Sequence, residues 1–458
     1  MKIIKILFFL SLTISTFAQQ NTKTQPNVVL IFADDLGYGD LGAFGHPNIL
    51  TPNIDKMAQN GAKMTSFYVA ANVCSPSRAA LLTGRYPVRS GMTGLKYNVL
   101  FPFSTNGIPQ DEVLLPEALK SAGYATGMVG KWHIGHLNGF LPTQNGFDTY
   151  YGVPYSNDMG YEDKKEHPYK KMFPPLPMMQ DDKIASTNVD QTQMTKEYTN
   201  KAIEFMDKNK KKPFFLYYAP NFPHVPLYAS NDFKGKSKRG LYGDVVEELD
   251  WSVGKILDYL KKNNLDKNTL VIFTSDNGPW LTQGVEGGSA GLLRNGKGSC
   301  WEGGMRVPFV AQWNGVIKPN QVLTSMASTM DLYTTIINLA KGKVPTDRII
   351  DGKDIMPLLT NKVQSVSDEL FYYHLSNLVA VRKGAWKLHI KGSKTGQLNV
   401  TDLEQPLLYN LEIDPSEQYD VFKDNPEVAK ELKAIIEKHL ASVEKKHFIF
   451  DDVNLGNK

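Results

Sequence analysis

Two acidic pairs follow directly on two apolar runs, and that placement is the first sign of chemistry in this chain. Asp34 and Asp35 follow the run Asn27 to Phe32 with only Ala33 between, and Asp276 and Asn277 come straight after TLVIFTS. Singly, each pair also reads as turn residues closing a strand. Together they are hard oxygen donors that would repel one another without a cation between them. No Cys/His cluster with zinc spacing accompanies them, so Ca2+ or Mg2+ fits better than zinc. Cys74 opens the stretch CSPSRAALLTGRYP. Pro76 suits a first helical position, Ala79 to Leu82 continue a helix, and Gly84 ends it. Cys74 is therefore expected at or just before a helix N-terminus, where free N–H groups favour an anion. Arg78, about one turn on, falls near the same face, where a guanidinium could hold a tetrahedral oxyanion and balance the carboxylates.

Further cationic side chains flank other apolar runs. In GKWHIGH, Lys131 and His133 follow YATGMVG; if the extended backbone continues, residues two apart face one side. In NFPHVP, His224 lies between Pro223 and Pro226. The prolines restrict the backbone and suit a positioned acid or base, a packed loop histidine being the alternative. In RNGKGS, Lys297 lies between glycines with Arg294 close by. One nucleophile candidate, four acidic or amide ligands and several cations are equipment for hydrolysing an ester of a tetrahedral anion, sulfate or phosphate.

The elements that must position these residues are legible as alternation. Continuous apolar runs at 27–32, 124–130, 214–220, 269–276 and 307–313 read as strands buried on both faces of a parallel sheet. Helical patterns lie between them: Val113 to Ser121, Met194 to Lys208, Leu241 to Leu260 and Met326 to Leu339. This predicts a large α/β fold with a central, mostly parallel sheet flanked by helices, over about residues 25–360. Ligands bind beyond the carboxyl ends of strands in such sheets, where the acidic pairs stand. From residue 365 to 458 short strands follow closely without helices between them, and a helix then runs from Pro426 to Val443. A smaller antiparallel sheet with a helix is expected there. The stretch 156–182 shows no period, and reads either as a substrate-side loop or as a surface insertion.

The chain has 458 residues and a formal net charge of +4, which excludes a dedicated nucleic-acid binder while leaving room for a local basic pocket. Residues 1–18 read as a cleavable signal peptide: Lys2 and Lys5, an apolar core from Ile6 to Ile14, and Thr16-Phe17-Ala18 as the cleavage site. No cysteine follows the apolar core to carry a lipid, and no segment is long enough to span a bilayer, so an exported protein, periplasmic or secreted and not membrane-bound, is expected. In that compartment the chain's two cysteines, Cys74 and Cys300, also read as a disulfide.

CSPSRAALLTGRYP resembles the signature of the type I sulfatases, C-x-P-x-R followed by T-G-R. FADDLGYGDLG, GKWHIG, PHVP, SDNGPW and GKGSCWEGGMRVPF follow in that family's order, and PLLYNLEIDPSEQYDV resembles its C-terminal end. GGSAGLLRNGKG is similar to the arylsulfatase A and galactosamine-sulfatase branch. The resemblance implies an alkaline-phosphatase-like fold and hydrolysis of sulfate from a carbohydrate, of galactose or N-acetylgalactosamine type. It implies that a maturation enzyme oxidises Cys74 to formylglycine, whose hydrate attacks sulfur. It further places Asp34, Asp35, Asp276, Asn277 and the modified residue 74 around one Ca2+ ion. Arg78 and Lys131 would stabilise the hydrate and the sulfate, His224 and Lys297 would serve the leaving oxygen, and His133 would take the proton that expels sulfate. On this reading Cys300 is a small buried residue. A phosphomonoester or phosphonate ester hydrolase on the same scaffold, and a non-catalytic binder of sulfated glycans, are the competing functions.

Overall fold

A computed structural model describes residues 25–164, 170–187, 189–393 and 399–455. The expected signal peptide lies outside the described residues. Eleven strands form the main sheet: β1 (Asn27–Ala33), β2 (Ala62–Tyr68), β3 (Ala125–Gly130), β4 (Thr149–Gly152), β5 (Pro177–Gln180), β6 (Lys183–Thr187), β7 (Phe214–Ala219), β8 (Thr269–Ser275), β9 (Arg306–Gln312), β10 (Gln321–Leu323) and β11 (Ala327–Ser328). Their order is β10-β2-β9-β8-β1-β7-β3-β4-β5-β6, with β11 also paired to β2.

The centre, β8-β1-β7-β3-β4, is parallel. Its strands are buried on both faces, which explains their continuous apolar runs. In β1, Val28, Leu30 and Phe32 pack into the core on one side, and Val29, Ile31 and Ala33 into the core on the other. The carboxyl ends of these strands lie along one edge. Strand β9 runs antiparallel to β8 and β2, and its first residue, Arg306, pairs with Tyr68 at the end of β2. The segment entering β9 and the segment leaving β2 therefore reach that same edge, and they carry Lys297 and Cys74.

The second sheet is the antiparallel meander β12 (Glu369–His374), β13 (Asn377–Lys383), β14 (Trp386–Gly392) and β15 (Thr401–Asn410), with the Pro426–Ala441 helix packed on it. Leu370, Tyr372, Val381, Leu388 and Leu432 belong to the same apolar cluster as one face of the main sheet.

Three local readings of the sequence differ from the structure. The helix expected from Met326 begins at Thr329, because Ser328 and Asp331 cap it and residues 327–328 pair with β2. Strand β2 was hidden by its alternation of buried and half-exposed residues. The irregular stretch 156–182 is partly ordered by pairing: β5 joins β4 and then folds back on β6.

Candidate active site

Asp34 and Asp35 are the first residues after β1, and Asp276 and Asn277 the first after β8; adjacency of those strands puts the four together. Asp35 takes a left-handed conformation (φ 63°), and its N–H donates to Asp276 Oδ1 at 3.1 Å. Asn277 Nδ2 donates to Asp35 Oδ1 at 2.7 Å. All four side chains are buried.

Cys74 is the first residue of the Cys74–Thr83 helix, and burial pushes its thiol up to about 11, against the pull of Lys131 and Lys297. A thiol so placed is protonated at neutral pH and a weak nucleophile. Arg78, one turn along, is wholly buried and donates from Nε and Nη2 to Asp276 Oδ2 at 3.1 and 2.7 Å. Its Nη2 also lies 3.5 Å from Asp34 Oδ1, and its Nη1 donates to the Lys131 carbonyl. Lys131 Nζ donates to Asp34 Oδ2 at 2.6 Å and to Ser156 Oγ at 3.2 Å. Burial disfavours ionised Asp34, but Lys131, His224 and Arg78 outweigh it and hold the carboxyl well below the usual range. Asp276 goes the other way, raised by burial and by the neighbouring Asp34.

His133 Nε2 lies 2.8 Å from the Leu100 carbonyl, and its Nδ1 is buried with no hydrogen-bond partner. Burial, then the Lys131 charge, hold its pKa well below the ordinary histidine value. His224 Nδ1 hydrogen-bonds the Val225 carbonyl, and its Nε2 is 3.6 Å from Asp35 Oδ2. Burial and Lys297 lower the pKa of His224 as well. Lys297 Nζ donates to Asp35 Oδ2 at 2.8 Å and stands 4.3 Å from the centre of the Trp280 ring, which also flanks His224.

The sequence-derived residues are thus joined: Arg78, Lys131, Asp276 and Asp34 on one side, and Asn277, His224 and Lys297 around Asp35 on the other. Ligand atoms of Asp34, Asp35, Cys74 and His224 all lie within 4.8 Å of one another. Asp34 Oδ1 and Asn277 Oδ1 are buried oxygens that receive no hydrogen bond. Buried acceptors left unmet among three carboxylates suit a hard cation with oxygen ligands. His224, a nitrogen donor already tied through Nδ1, does not belong to that oxygen set.

Three sequence readings change here. Lys131 and His133 do not share a side by continued extension. The strand ends at Gly130, and Gly130 and His133 have φ of 117° and 63°. Their side chains instead reach Asp34 and the Leu100 carbonyl separately. The Cys74–Cys300 disulfide is not formed: both thiols are free, and Cys300 is buried beside Asn72. Arg294 faces away from the cluster, lying 3.6 Å over the Trp301 ring and bonded to the Glu417 carbonyl. Sequence reasoning missed Ser156, whose only signal was its place at the start of the aperiodic stretch. It also missed Trp280, which follows the Asp-Asn-Gly stretch after Pro279.

The chain matches the sulfatase family over residues 26–343 and the C-terminal region of aryl-sulfatase over residues 365–457. It is 43% identical over 381 residues to the N-acetylgalactosamine-6-sulfatase of Mus musculus, covering 80% of this chain and 72% of that one. It is 39% identical over 466 residues to the arylsulfatase A of Homo sapiens, covering 93% and 90%. The crystal structure of the PsFucS1 sulfatase from Pseudoalteromonas sp. superposes with a TM-score of 0.83 at 28% identity, covering 94% of this chain and 92% of that one. With these matches across both sheets, the chain belongs to the sulfatase family and is a sulfuric ester hydrolase.

Proposed function

We propose that this enzyme removes sulfate from a sulfated carbohydrate of galactose or N-acetylgalactosamine type. In this reading Cys74 has been converted to formylglycine, and Asp34, Asp35, Asp276, Asn277 and residue 74 hold one Ca2+ ion. The observation that carries it is the meeting of residue 74, at a helix N-terminus, with buried unmet oxygens and the cations Arg78, Lys131 and Lys297. The sugar class is supported by the identity to N-acetylgalactosamine-6-sulfatase.

Calcium there would neutralise the clustered carboxylates and draw charge from a sulfate oxygen, while a hydrated aldehyde would supply one hydroxyl for attack and a second for product release. The protein's own groups divide the remaining work. Arg78 and Lys131 offer fixed positive charge to the anion in a water-poor site, at no cost of reorganisation during reaction. A carbonyl accepts but cannot donate, so neutral His133 carries its proton on Nε2, toward Leu100, and keeps a lone pair at Nδ1. That nitrogen is the base. The same reasoning puts a proton on His224 Nδ1, toward Val225, so Nε2 passes a proton to the departing oxygen only once the ring has taken up a second one. The Lys297 ammonium, held beside Asp35, already carries protons to donate to that oxygen.

Residues 1–18 direct export, and a formylglycine-generating enzyme acts on Cys74 before folding buries it. The first test compares sulfate release from galactose 6-sulfate, N-acetylgalactosamine 6-sulfate and an aryl sulfate with phosphate release from the matching aryl phosphate. A clear preference for a galactose-type sulfate supports the reading. A preference for the phosphate ester overturns it.

A further inference from the structure

We propose that the C-terminal sheet takes part in catalysis by holding the Lys297 loop, with Lys387 and Glu417 as positioning residues that act through Lys297. The proposal rests on the role given to Lys297 in the preceding reading.

Lys387, on β14, is wholly buried. An ammonium has three donors, and here each has an acceptor: the Cys300 carbonyl at 2.9 Å, Glu302 Oε1 at 3.0 Å and Glu417 Oε1 at 2.8 Å. Two of the three belong to the segment that carries Lys297. Glu417 grips that segment a second and a third time. Its Oε2 accepts from the Glu302 N–H at 2.7 Å, and its backbone carbonyl accepts from Arg294 Nη1 at 2.7 Å. Ser393, just after β14, closes the clamp: its Oγ accepts from the Cys300 N–H at 2.8 Å and its carbonyl from Trp301 Nε1 at 3.0 Å.

The segment Arg294–Glu302 is thus fastened at 294, 300, 301 and 302 by groups 85 or more residues away in sequence. Lys297 stands in the middle, with Gly296 and Gly298 beside it. Glycines on both sides leave its backbone few intrinsic constraints. The Lys297 N–H donates to the Pro279 carbonyl at 2.9 Å and the Gly298 N–H to the Asn72 carbonyl at 2.8 Å. The anchoring on either side adds to these the rigidity that keeps Nζ at 2.8 Å from Asp35. Glu302 and Glu417 both pair with the Lys387 ammonium, so removing that charge leaves Glu302 to Arg306 and Glu417 to His389, with no cation between the two buried carboxylates inside the loop's anchor. Cation–π contact with Trp280 does not replace this anchor, since Trp280 is half-buried and leads into the exposed residues 281–286.

A double-mutant cycle tests the inference in the full-length, matured enzyme with an aryl sulfate as probe. Lys387→Met is made in the wild-type and in the Lys297→Ala background, and kcat/KM and the inhibition constant of inorganic sulfate are measured at a temperature where each variant remains folded. The expected result is a loss of kcat/KM of at least tenfold in the wild-type background and of less than twofold in the Lys297→Ala background, with sulfate binding weakened in the first case alone. Glu417→Gln, which keeps the side-chain volume and removes the charge, carries the same comparison if Lys387→Met does not fold. Equal losses in both backgrounds, or no loss in wild type, overturn the proposal. If Lys297→Ala itself retains full activity, the role assigned to Lys297 fails instead, and the two failures are distinct.

Discussion

The Leu100 carbonyl, 2.8 Å from Nε2 of His133, fixes which nitrogen of that ring is basic. Leu100 is held in turn from the helix that Cys74 opens, since its N–H donates to Ser75 Oγ at 3.1 Å. The residue after Cys74 therefore helps place the histidine. Replacing His133 by Ala lowers kcat about 100- to 10,000-fold, the range for loss of a general base, while KM moves little. Steady-state kinetics on an aryl sulfate check this.

As the proposed base, the same histidine is expected to set the acid limb of activity. A base works when deprotonated, so its activity is present above its pKa and lost as pH falls through it. Burial and Lys131 lower that pKa well below the ordinary value, so the limb of kcat due to His133 falls below about pH 6.5, the unperturbed histidine value. Lys131→Met removes one lowering influence, and the limb measurable in its residual activity moves upward. A limb at or above the unperturbed value in wild type contradicts the assignment.

The proposed Ca2+ site is readable as stability. Binding to the folded state alone adds about 2.7 kcal/mol at a ligand concentration of 100 times Kd. Chelation lowers the melting temperature and Ca2+ restores it, measured at a fixed scan rate. Asp34→Asn abolishes the Ca2+-dependent part of that shift, because it removes one of the buried charges the cation answers.

Much of the site was legible because two rules of parallel sheets are strong. Buried strands are written as unbroken apolar runs, and ligands gather at their carboxyl ends. Asp34, Asp35, Asp276 and Asn277 follow such runs directly, and Arg78 follows Cys74 at one helical turn. The clamp of Lys387, Glu417 and Ser393 was illegible, because its partners meet across the junction of two sheets and no local period records that pairing. Ser156 and Trp280 were missed for a related reason: a loop residue's neighbour is set by tertiary contact and not by its own sequence context. The shared conformation expected for Lys131 and His133 fails because the strand ends at Gly130, before either residue.

Tyr86 reports on the union of the two sheets. Its ring packs against Phe371, Tyr373 and His439, and its Oη accepts from the Phe371 N–H at 3.0 Å. Tyr86→Phe leaves that buried N–H unmet and costs about 1–3 kcal/mol. Tyr86→Ala costs about 3–5 kcal/mol by cavity formation. Denaturant unfolding gives the difference between the two.

The mass of the tryptic peptide Met64–Arg78, from enzyme that releases sulfate, tests the central claim most directly. The expected peptide is lighter than its cysteine form, reactive toward a hydrazide and inert to iodoacetamide, with Cys300 alkylated in its own peptide. A fully alkylatable thiol at position 74 in an active preparation, or a peptide linked to Cys300, would contradict it.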